Sequence, residues 1–310
     1  FVGGDSKRAN KLREIYKNPY FSSLAENVIV NTTSTGKSKE LIDDEPVTYV
    51  IVSDPMFKEQ LQPFVQWKKL KGFNVIEAYT DVIGGTKEEI KTYLQDLYEN
   101  PPLTPPSFVL FVGDVEQIPA WSGTTDSHVT DLYYCEYTGD DLPEVYYGRF
   151  SAQTTEQLQP QIDKTLEYEK YEMPNTTYLG KHVLVAGVDG SWAPTHGNGA
   201  INYATEYYAN DEHGITPLTY LYDDNANSTV MNSDAAEASD SIIANVNNGV
   251  GFANYTAHCN ENGWADPGFK ISDVNGLSNE SKYGLWIGNC CLSVKFDVDE
   301  CFGEAALRAE

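Results

Sequence analysis

The chain has 310 residues, of which 41% are hydrophobic and 12% aromatic, a composition typical of a globular protein with a sizeable core. Its formal net charge of −25 argues against nucleic acid or an anionic membrane surface as the main partner, because both are negatively charged as well. The same charge suits basic ligands and divalent cations. No stretch has the length and hydropathy of a membrane span or the layout of a signal peptide.

The first 45 residues form a separate predicted segment. Residues 1–39 contain seven Lys or Arg and three Asp or Glu, a net charge of +4 (7 − 3). A basic leader of this kind could dock on the acidic remainder as a retained pro-segment. The alternative that the pattern leaves open is a solvated tail.

Regular alternation of strand-like and helix-like stretches begins near Pro46 and predicts a first α/β subdomain over residues 46–175. Predicted strands are Thr48–Val52, Phe73–Tyr79, Phe108–Val112 and Val145–Phe150, and predicted helices are Pro55–Lys71, Thr86 to about Glu99, and Thr155 to about Tyr171. The segment from Gly113 to Pro143 is long, irregular and rich in carboxylates. Connections of that length in a compact domain are usually functional.

A second series, over residues 176–310, follows the same alternation. Its predicted strands are His182–Ala186, Val250–Thr256 and Tyr283–Ile287, and its predicted helices are Ala200–Glu212, Asp234–Asn247 and a last one from Cys301. Strands that alternate with helices favour parallel sheets flanked by helices. The sequence therefore predicts two α/β subdomains.

The last two predicted strands are each followed by a residue that can take part in catalysis, His258 in the first case and Cys291 in the second. Sites in open α/β sheets form beyond the carboxyl ends of the strands. An imidazole beside a thiol promotes the nucleophilic thiolate, so the pattern favours a cysteine-nucleophile hydrolase. The other reading of the two residues is structural.

A zinc site is the competing chemical interpretation. The chain has five cysteines. The zinc site would use His258 and four of them, Cys259, Cys290, Cys291 and Cys301, and would leave out Cys135. Adjacent cysteines fit tetrahedral zinc poorly, and the sequence has no CxxC pair. An odd, sparse set of cysteines is also no disulfide scaffold, so the pattern leaves at least one free thiol unless chains are crosslinked.

The segments NYTAH, WADP, GNCC and CFGE, in that order and spacing, resemble the gingipains, caspase-like cysteine endopeptidases of Bacteroidales bacteria. Upstream, WKKLKGF, VGD, VTDLYY, LPEVYYGR and YEKYEMP are also similar to their catalytic domain, and the likeness is greatest to the lysine-specific type. It spans roughly Pro46 to Glu310. It implies a caspase-like three-layer α/β sandwich and a secreted or cell-surface bacterial endopeptidase that cleaves after Lys or Arg through an acyl-enzyme.

The resemblance also implies individual roles. Cys291 would be the nucleophile, His258 the general base and acid, and Asp189 the acid that orients the histidine. Cys290 would be a packed neighbour. The oxyanion hole would consist of the backbone N–H groups of Cys291 and of Cys259, which follows the histidine.

At Cys259 the chain departs from the family, which has glycine there. A positive φ at this position would be strained for cysteine, so the departure bears on the oxyanion hole. It also motivates a hypothesis that Cys259 and Cys291 form a reversible disulfide that blocks the nucleophile.

Calcium is the cofactor that the resemblance implies, at one or two structural sites. The first would use the side chains of Asp114 and Glu304 and the Phe296 carbonyl. The second would use Asp140, Glu144, the Leu142 carbonyl and Thr138, the last of which stands where relatives have aspartate. Oxygen donors spaced along an acidic loop suit a hard cation, and an unliganded solvated loop is the alternative.

Trp264 is a candidate substrate-binding residue, with packing as its alternative.

A second chain or a C-terminal segment is expected to complete the catalytic domain and its specificity pocket. Two other classes of function stay open at this point: a catalytically inactive relative that acts as a binding module, and a calcium-dependent structural module of an adhesin.

Overall fold

The computed structural model describes residues 46–223, 229–231 and 235–309. The predicted basic leader, residues 1–45, lies outside them. The chain divides into two compact units, with the boundary between Phe150 and Ser151.

The first unit is built on one parallel sheet. In chain order its elements are β1 (Thr48–Ser53), a 3-10 turn (Pro55–Phe57), α1 (Gln62–Leu70), β2 (Asn74–Tyr79), α2 (Thr80–Ile83), α3 (Lys87–Glu99), β3 (Pro106–Val112), β4 (Trp121–Ser122), β5 (Val129–Thr130), α4 (Leu132–Cys135) and β6 (Tyr146–Phe150). The sheet order is β2-β1-β3-β6, with every pair parallel. The four predicted strands and the first two predicted helices of this region are all present.

The predicted irregular segment after β3 is more ordered than the sequence indicated. It contains the antiparallel pair β4–β5 and the short helix α4. Arg149 in β6 holds it in place: its guanidinium donates two hydrogen bonds to Asp131, at 2.8 and 2.7 Å, and two more to the carbonyls of Gly113 and Ile118. Because the pair is buried and bidentate, it fixes both the start and the middle of the segment.

The second unit is built on a five-stranded parallel sheet. Its elements are α5 (Thr155–Lys170), a 3-10 turn (Thr177–Gly180), β7 (Lys181–Val185), a π turn (Ala193–Gly197), α6 (Asn198–Tyr207), a 3-10 turn (Asp211–His213), β8 (Thr216–Tyr222), β9 (Thr229–Met231), α7 (Ala236–Asn248), β10 (Phe252–Thr256), β11 (Cys259–Asn260), β12 (Gly263–Trp264), β13 (Phe269–Lys270), α8 (Ile271–Val274), β14 (Leu285–Asn289) and α9 (Phe302–Arg308). The order is β14-β10-β7-β8-β9. The prediction of parallel sheets with helices between the strands is confirmed, although the sequence did not reveal β8.

The boundary between the units lies earlier than predicted, since helix α5 belongs to the second unit rather than the first. Ser151 and α5 bond to the C-terminal helix α9. Arg308 donates to the Ser151 carbonyl at 3.1 Å, and Lys164 donates to the carbonyls of Ala306 and Leu307 at 3.2 Å. These long-range contacts cannot be seen in a local hydrophobic pattern, which placed the boundary between residues 175 and 176.

The strand order of the second unit has one reversal of direction. From β7 the chain adds β8 and then β9 on one side, and then returns to place β10 and β14 on the other side of β7. The reversal between β7 and β10 is a topological switch point, where the connections at the carboxyl ends of the strands diverge and leave a crevice. The fold therefore directs a ligand site to the residues that follow β7, β10 and β14.

Gly251, immediately before β10, gives a direct test of how tightly this sheet is packed. A Cβ at this position would lie 2.2 Å from the Leu179 carbonyl oxygen, whereas a Cβ at Gly199 in α6 would meet nothing within 4 Å. Gly251→Ala is expected to lower the free energy of unfolding by about 2 kcal/mol or more, through overpacking against backbone. Gly199→Ala is expected to leave it unchanged or raise it by about 0.5–1 kcal/mol. Urea denaturation measures both, and equal stability of the two variants would contradict the packing described here.

Candidate active site

Three neighbouring parallel strands deliver the candidate catalytic residues to one edge of the second sheet. Val185 of β7 pairs with Tyr255 of β10, and Thr256 of β10 pairs with Asn289 of β14. Asp189 follows the first strand, His258 the second and Cys291 the third. Sequence reasoning predicted this common edge, and the strand register confirms it.

Asp189 and His258 are joined by a hydrogen bond of 2.8 Å between Oδ2 and Nε2. The other carboxylate oxygen of Asp189 accepts from the backbone N–H groups of Ser191 and Trp192, at 2.8 and 3.3 Å. The hydrogen bond from His258 and these backbone bonds lower the pKa of Asp189. Because an ionised carboxylate only accepts hydrogen bonds, the pairing assigns a proton to Nε2 and leaves Nδ1 as the nitrogen that can exchange a proton.

The backbone of His258 is held from the core of the sheet. Its carbonyl accepts hydrogen bonds from the Tyr255 hydroxyl at 2.7 Å and from the Ala265 N–H at 3.0 Å. Tyr255 is fully buried, and burial raises the pKa of its hydroxyl, so this donor stays protonated. The backbone of His258 is therefore fixed. Its imidazole is exposed, with 72% of the side-chain surface accessible.

Gly187 allows the loop after β7 to approach the loop after β10. Its φ is +75°, a conformation that L side chains rarely adopt. A Cβ there would also lie 2.3 Å from the Cβ of Ala257, the residue before His258. Glycine at this position is thus what brings Asp189 within hydrogen-bonding distance of the imidazole.

Cys291 is a free, exposed thiol, and the cysteine before it is not. Cys290 forms a disulfide with Cys259, and their Cα atoms are 5.5 Å apart, within the usual range for the bond. The hypothesis of a Cys259–Cys291 disulfide is therefore wrong for this structure. Cys290 packs against the core of the second unit, as expected, and is in addition covalently bound to Cys259. Cys290, which directly follows β14, forms the bond with Cys259, so Cys291 keeps a free thiol that can act as a nucleophile.

The backbone at Cys259 does not have the strained conformation that replacement of glycine could impose. Positive φ values occur at other described non-glycine residues but not at Cys259, which begins the extended strand β11 and pairs with Trp264. One of those residues is Leu292, directly after the candidate nucleophile, with a φ of +63°. The oxyanion-hole role of the Cys291 and Cys259 N–H groups stays a prediction.

Comparison with known proteins identifies the family. Residues 42–310 match the model of Peptidase family C25. The chain belongs to peptidase family C25.

Two curated members of the C25 family illustrate the similarity. Lys-gingipain of Porphyromonas gingivalis is 37% identical over 315 residues, which cover 100% of this chain but 17% of that protein. Gingipain R2 of the same organism is 28% identical over 298 residues, which cover 94% of this chain and 38% of the relative. The chain thus spans about a sixth of the length of the Lys-gingipain relatives.

Two solved structures extend the similarity to three dimensions. One, described as "Structure of Protease", superposes with a TM-score of 0.77 at 40% identity and covers 87% of this chain and 58% of its own. The crystal structure of the Arg-specific cysteine proteinase gingipain R superposes with a TM-score of 0.69 at 26% identity and covers 86% and 60%. These matches confirm the predicted α/β fold of the gingipain catalytic domains.

One predicted C25 site residue has a different place from the one expected. Trp264 is 3% exposed, and its ring stacks on Tyr255 with centroids 4.3 Å apart and planes within 6°. Phe269, Trp286 and Phe302 pack around it. Trp264 is a core residue beneath the site rather than a substrate contact, because the hydrophobic surface that the sequence offered to a ligand is buried against other aromatic rings.

The predicted calcium loop of this C25 domain brings its oxygen atoms together. The Thr138 hydroxyl donates to Glu144 Oε1 at 2.7 Å and to Asp140 Oδ1 at 3.2 Å. Burial raises the pKa of Glu144, and the negative charges of Glu136 and Asp140 raise it further. Crowded carboxylates of this kind fit a divalent cation, which would relieve their repulsion.

The side chains of this loop do not form a complete metal cage. Within residues 46–223, 229–231 and 235–309, no group of three or more His, Cys, Asp or Glu side chains could hold a metal ion. The Thr138 hydroxyl and the Leu142 carbonyl would have to complete the site. Thr138 thus fits the position through its hydroxyl, although it brings no charge.

The residues of the other predicted calcium site lie in both units, Asp114 in the first and Phe296 and Glu304 in the second. Glu304 is well occupied by protein groups. Its Oε1 accepts from Ser151 at 2.6 Å and Arg308 at 2.7 Å, and its Oε2 accepts from the Cys301 N–H at 2.8 Å. An ion at Glu304 would compete with a buried guanidinium, so the donor set fits calcium less well than the loop does.

Sequence reasoning found the three candidate catalytic side chains but missed what positions them. No local pattern distinguishes Gly187 from the other loop glycines, or Tyr255 from the other tyrosines of predicted strands. Cys290 carried a signal, since it directly follows a strand that ends beside the loop of Cys259, but the pairing needed the strand register. That register depends on contacts between segments far apart in the chain.

The buried position of Trp264 predicts a large stability effect. Trp264→Ala is expected to lower the free energy of unfolding by about 3–5 kcal/mol, as removal of a buried aromatic side chain does. Trp192→Ala, at a tryptophan that is 61% exposed, is the matched control and should change it by less than about 0.5 kcal/mol. Chemical denaturation compares the two. A stable Trp264→Ala variant with impaired substrate binding would restore the original interpretation.

Proposed function

We propose that this C25 chain carries the catalytic site of a cysteine endopeptidase that cleaves peptide bonds after a basic residue. The observation that supports the proposal most is the hydrogen bond between Asp189 and His258 at the same sheet edge as the free, exposed thiol of Cys291. This is the arrangement of nucleophile, base and orienting acid that acyl transfer requires.

The reaction follows from the roles of these groups. The Cys291 thiol gives its proton to the imidazole of His258 and attacks the scissile carbonyl carbon as thiolate. The backbone N–H groups of Cys291 and Cys259 stabilise the negative oxygen of the tetrahedral intermediate. The imidazolium then protonates the leaving amine, the C–N bond breaks, and a thioester to Cys291 remains. Water, deprotonated by His258, hydrolyses the thioester and releases the free thiol.

Asp189 prepares His258 for both proton transfers. As an ionised acceptor on Nε2 it holds the ring orientation and stabilises the imidazolium that forms after attack. Its own position is secured by the N–H groups of Ser191 and Trp192. The aspartate therefore acts through the histidine and does not need to touch substrate.

Preference for Lys or Arg rests on the relatives. These relatives include a Lys-gingipain at 37% identity and an Arg-specific cysteine proteinase at 26%. The net charge of −25 is consistent with attraction of basic substrates. We propose protein substrates cleaved after Lys or Arg, with lysine favoured by the higher identity.

Additional polypeptide is expected to cover the outer edge of the catalytic sheet. Among the described strands, β14 lies at one end of the sheet, and Leu285 and Ile287 on it are 59% and 44% exposed. An exposed apolar edge strand is a template for pairing with another chain. We propose that a further segment or a second chain pairs with β14 and completes the domain.

We propose a secreted or cell-surface location for the bacterial protein. A disulfide between Cys259 and Cys290 is typical of proteins outside the reducing cytosol. Separately from this proposal, none of the helices in the described part of the chain has the length and hydropathy of a membrane span.

We propose a structural calcium ion in the loop Thr138–Glu144. Asp140, Glu144, the Thr138 hydroxyl and the Leu142 carbonyl would hold it. The ion would neutralise the crowded carboxylates and so stabilise the loop after α4. No second ion is proposed at Glu304, because its carboxylate is already paired with Arg308 and accepts from Ser151 and the Cys301 N–H.

The catalytic assignment predicts how four variants behave. Cys291→Ala and His258→Ala should lower kcat/KM for Lys- and Arg-containing fluorogenic peptides by at least about 10⁴-fold, and Asp189→Asn by about 10²- to 10⁴-fold, because the imidazole loses its orientation. Cys135→Ala, at a buried free cysteine in the first unit, is the control and should keep full activity.

The comparison of Lys and Arg peptides gives the specificity in the same assay. If neither the parent nor any variant hydrolyses peptide and Cys291 does not react with iodoacetamide, the result contradicts the proposed activity and favours the alternative of an inactive C25 relative that acts as a binding module.

The calcium proposal predicts a pH-dependent stabilisation. The raised pKa of Glu144 means that the folded state favours its protonated form, so without a cation the stability contributed by this group falls as pH rises through the folded pKa. Calcium needs the ionised carboxylate and reverses that loss. We expect calcium to raise Tm by about 3 °C or more near pH 7.5, and by less near pH 5.

Two variants test where the ion binds. Glu144→Gln should remove most of the calcium-dependent rise in Tm, and Glu172→Gln, at an exposed carboxylate after α5, should retain it. An equal rise in both variants would place any bound calcium elsewhere.

A further inference from the structure

The disulfide between Cys259 and Cys290 joins the chain neighbours of the two residues proposed to react. Cys259 directly follows His258, and Cys290 directly precedes Cys291. Each half of the bond is thus the chain neighbour of a catalytic residue. The Cys259 sulfur lies 2.6 Å from the carbonyl oxygen of Cys291, so the bond rests against the backbone of the nucleophile itself.

The strand pairing alone does not extend this far. The last paired residues of β10 and β14 are Thr256 and Asn289. Beyond these residues both segments of the chain leave the sheet. His258 and Cys291 each lie two positions past the end of their strand. The disulfide joins the two loops at the point where the backbone ladder has stopped.

Weaker contacts brace the same loops at their far ends. The Glu261 carbonyl accepts from the Phe302 N–H, and the Ser293 carbonyl accepts from the Gly303 N–H, both at 2.8 Å. Both loops are thereby attached to the start of α9, beyond His258 on one side and beyond Cys291 on the other. Of the strand pairing, these two hydrogen bonds and the disulfide, the disulfide lies nearest to His258 and Cys291 along the chain.

We propose that Cys259 and Cys290 are positioning residues of the peptidase: as a disulfide they fix the separation of the His258 imidazole and the Cys291 thiol. This inference rests on the proposed function. Misplacement of reacting groups by about 1 Å can cost about 10²-fold in rate. The N–H of Cys259, one of the two oxyanion-hole donors, is held by the same bond.

One consequence is that the enzyme needs two oxidation states at neighbouring cysteines. Cys291 must be a thiol, and the residue before it must be half of a disulfide. A dithiol reductant would transfer two electrons and two protons to the Cys259–Cys290 bond, which yields two thiols and a cyclic disulfide of the reductant. Strong reduction is thus expected to lower kcat, although it keeps the nucleophile reduced.

Peptide mapping establishes the pairing first. Unreduced protein treated with iodoacetamide should carry the label on Cys291 and yield a crosslinked peptide pair that contains Cys259 and Cys290. Fragmentation between residues 290 and 291 distinguishes the two adjacent cysteines. A Cys259–Cys291 crosslink, or label on both Cys290 and Cys291, would overturn the proposal.

Variants then separate positioning from general stability. Cys259→Ala, Cys290→Ala and the double variant are assayed under mild reduction, which prevents new pairing by the remaining thiol, with Cys135→Ala as control. Because the bond needs both partners, all three variants should show the same loss, about 10- to 100-fold in kcat per titrated active site, with KM changed less than about threefold. The rate of Cys291 alkylation at pH 6 should fall in parallel, while the control keeps both values.

The outcomes are distinct for each claim. Unchanged kcat and alkylation rate in the double variant would overturn the positioning role, and so would losses that add up from the single variants. A double variant with a lower fraction of active sites but an unaltered kcat would make the disulfide structural only. If the parent protein cleaves no peptide, the proposed function fails, and the alkylation rate still decides whether the disulfide positions the thiol against the imidazole.

Discussion

The parallel pairing of β7, β10 and β14 is the constraint on which the site depends. Parallel strands end at the same edge of a sheet, so residues that follow them meet even though they are far apart in the chain. The reversal of strand order between β7 and β10 opens the crevice at that edge. Asp189 and His258 come from the two sides of the reversal, and Cys291 comes from the next strand.

Close approach of these loops requires particular residues at few positions. Gly187, which has no Cβ, leaves room for the side chain of Ala257. The buried Tyr255 hydroxyl donates a hydrogen bond to the carbonyl of His258. The Cys259–Cys290 disulfide closes a loop between residues 259 and 290 that includes β11–β14, and loop-closure entropy of that length corresponds to roughly 3–4 kcal/mol of stabilisation. The exposed side chains of His258 and Cys291, the candidate catalytic pair, thus belong to a backbone that the core and one covalent bond keep in place.

Much of this arrangement could be predicted from the sequence because it is local. The apolar runs marked β1, β3, β7 and β10, and Thr86 with Glu89 marked the capped start of α3, which the structure confirms. His258 and Cys291 were found because each follows a strand-like run. Three features could not be predicted, because they depend on contacts between segments that are distant in the chain. They are the assignment of α5 to the second unit, the burial of Trp264 in an aromatic cluster, and the disulfide of Cys259 with Cys290 rather than with Cys291. The strand β8, which begins with Thr216 and Pro217, also lacks a clear periodic signal.

The central claim is that Cys291 is the nucleophile activated by His258 and Asp189. Its most direct test is an affinity label, a peptide chloromethyl ketone with lysine at the reactive end, followed by mass-spectrometric mapping of the adduct. The account predicts one adduct, on Cys291, that forms rapidly in the parent chain and at a greatly reduced rate in His258→Ala. Labelling of another residue, or labelling of Cys291 at the same rate with and without His258, would contradict it.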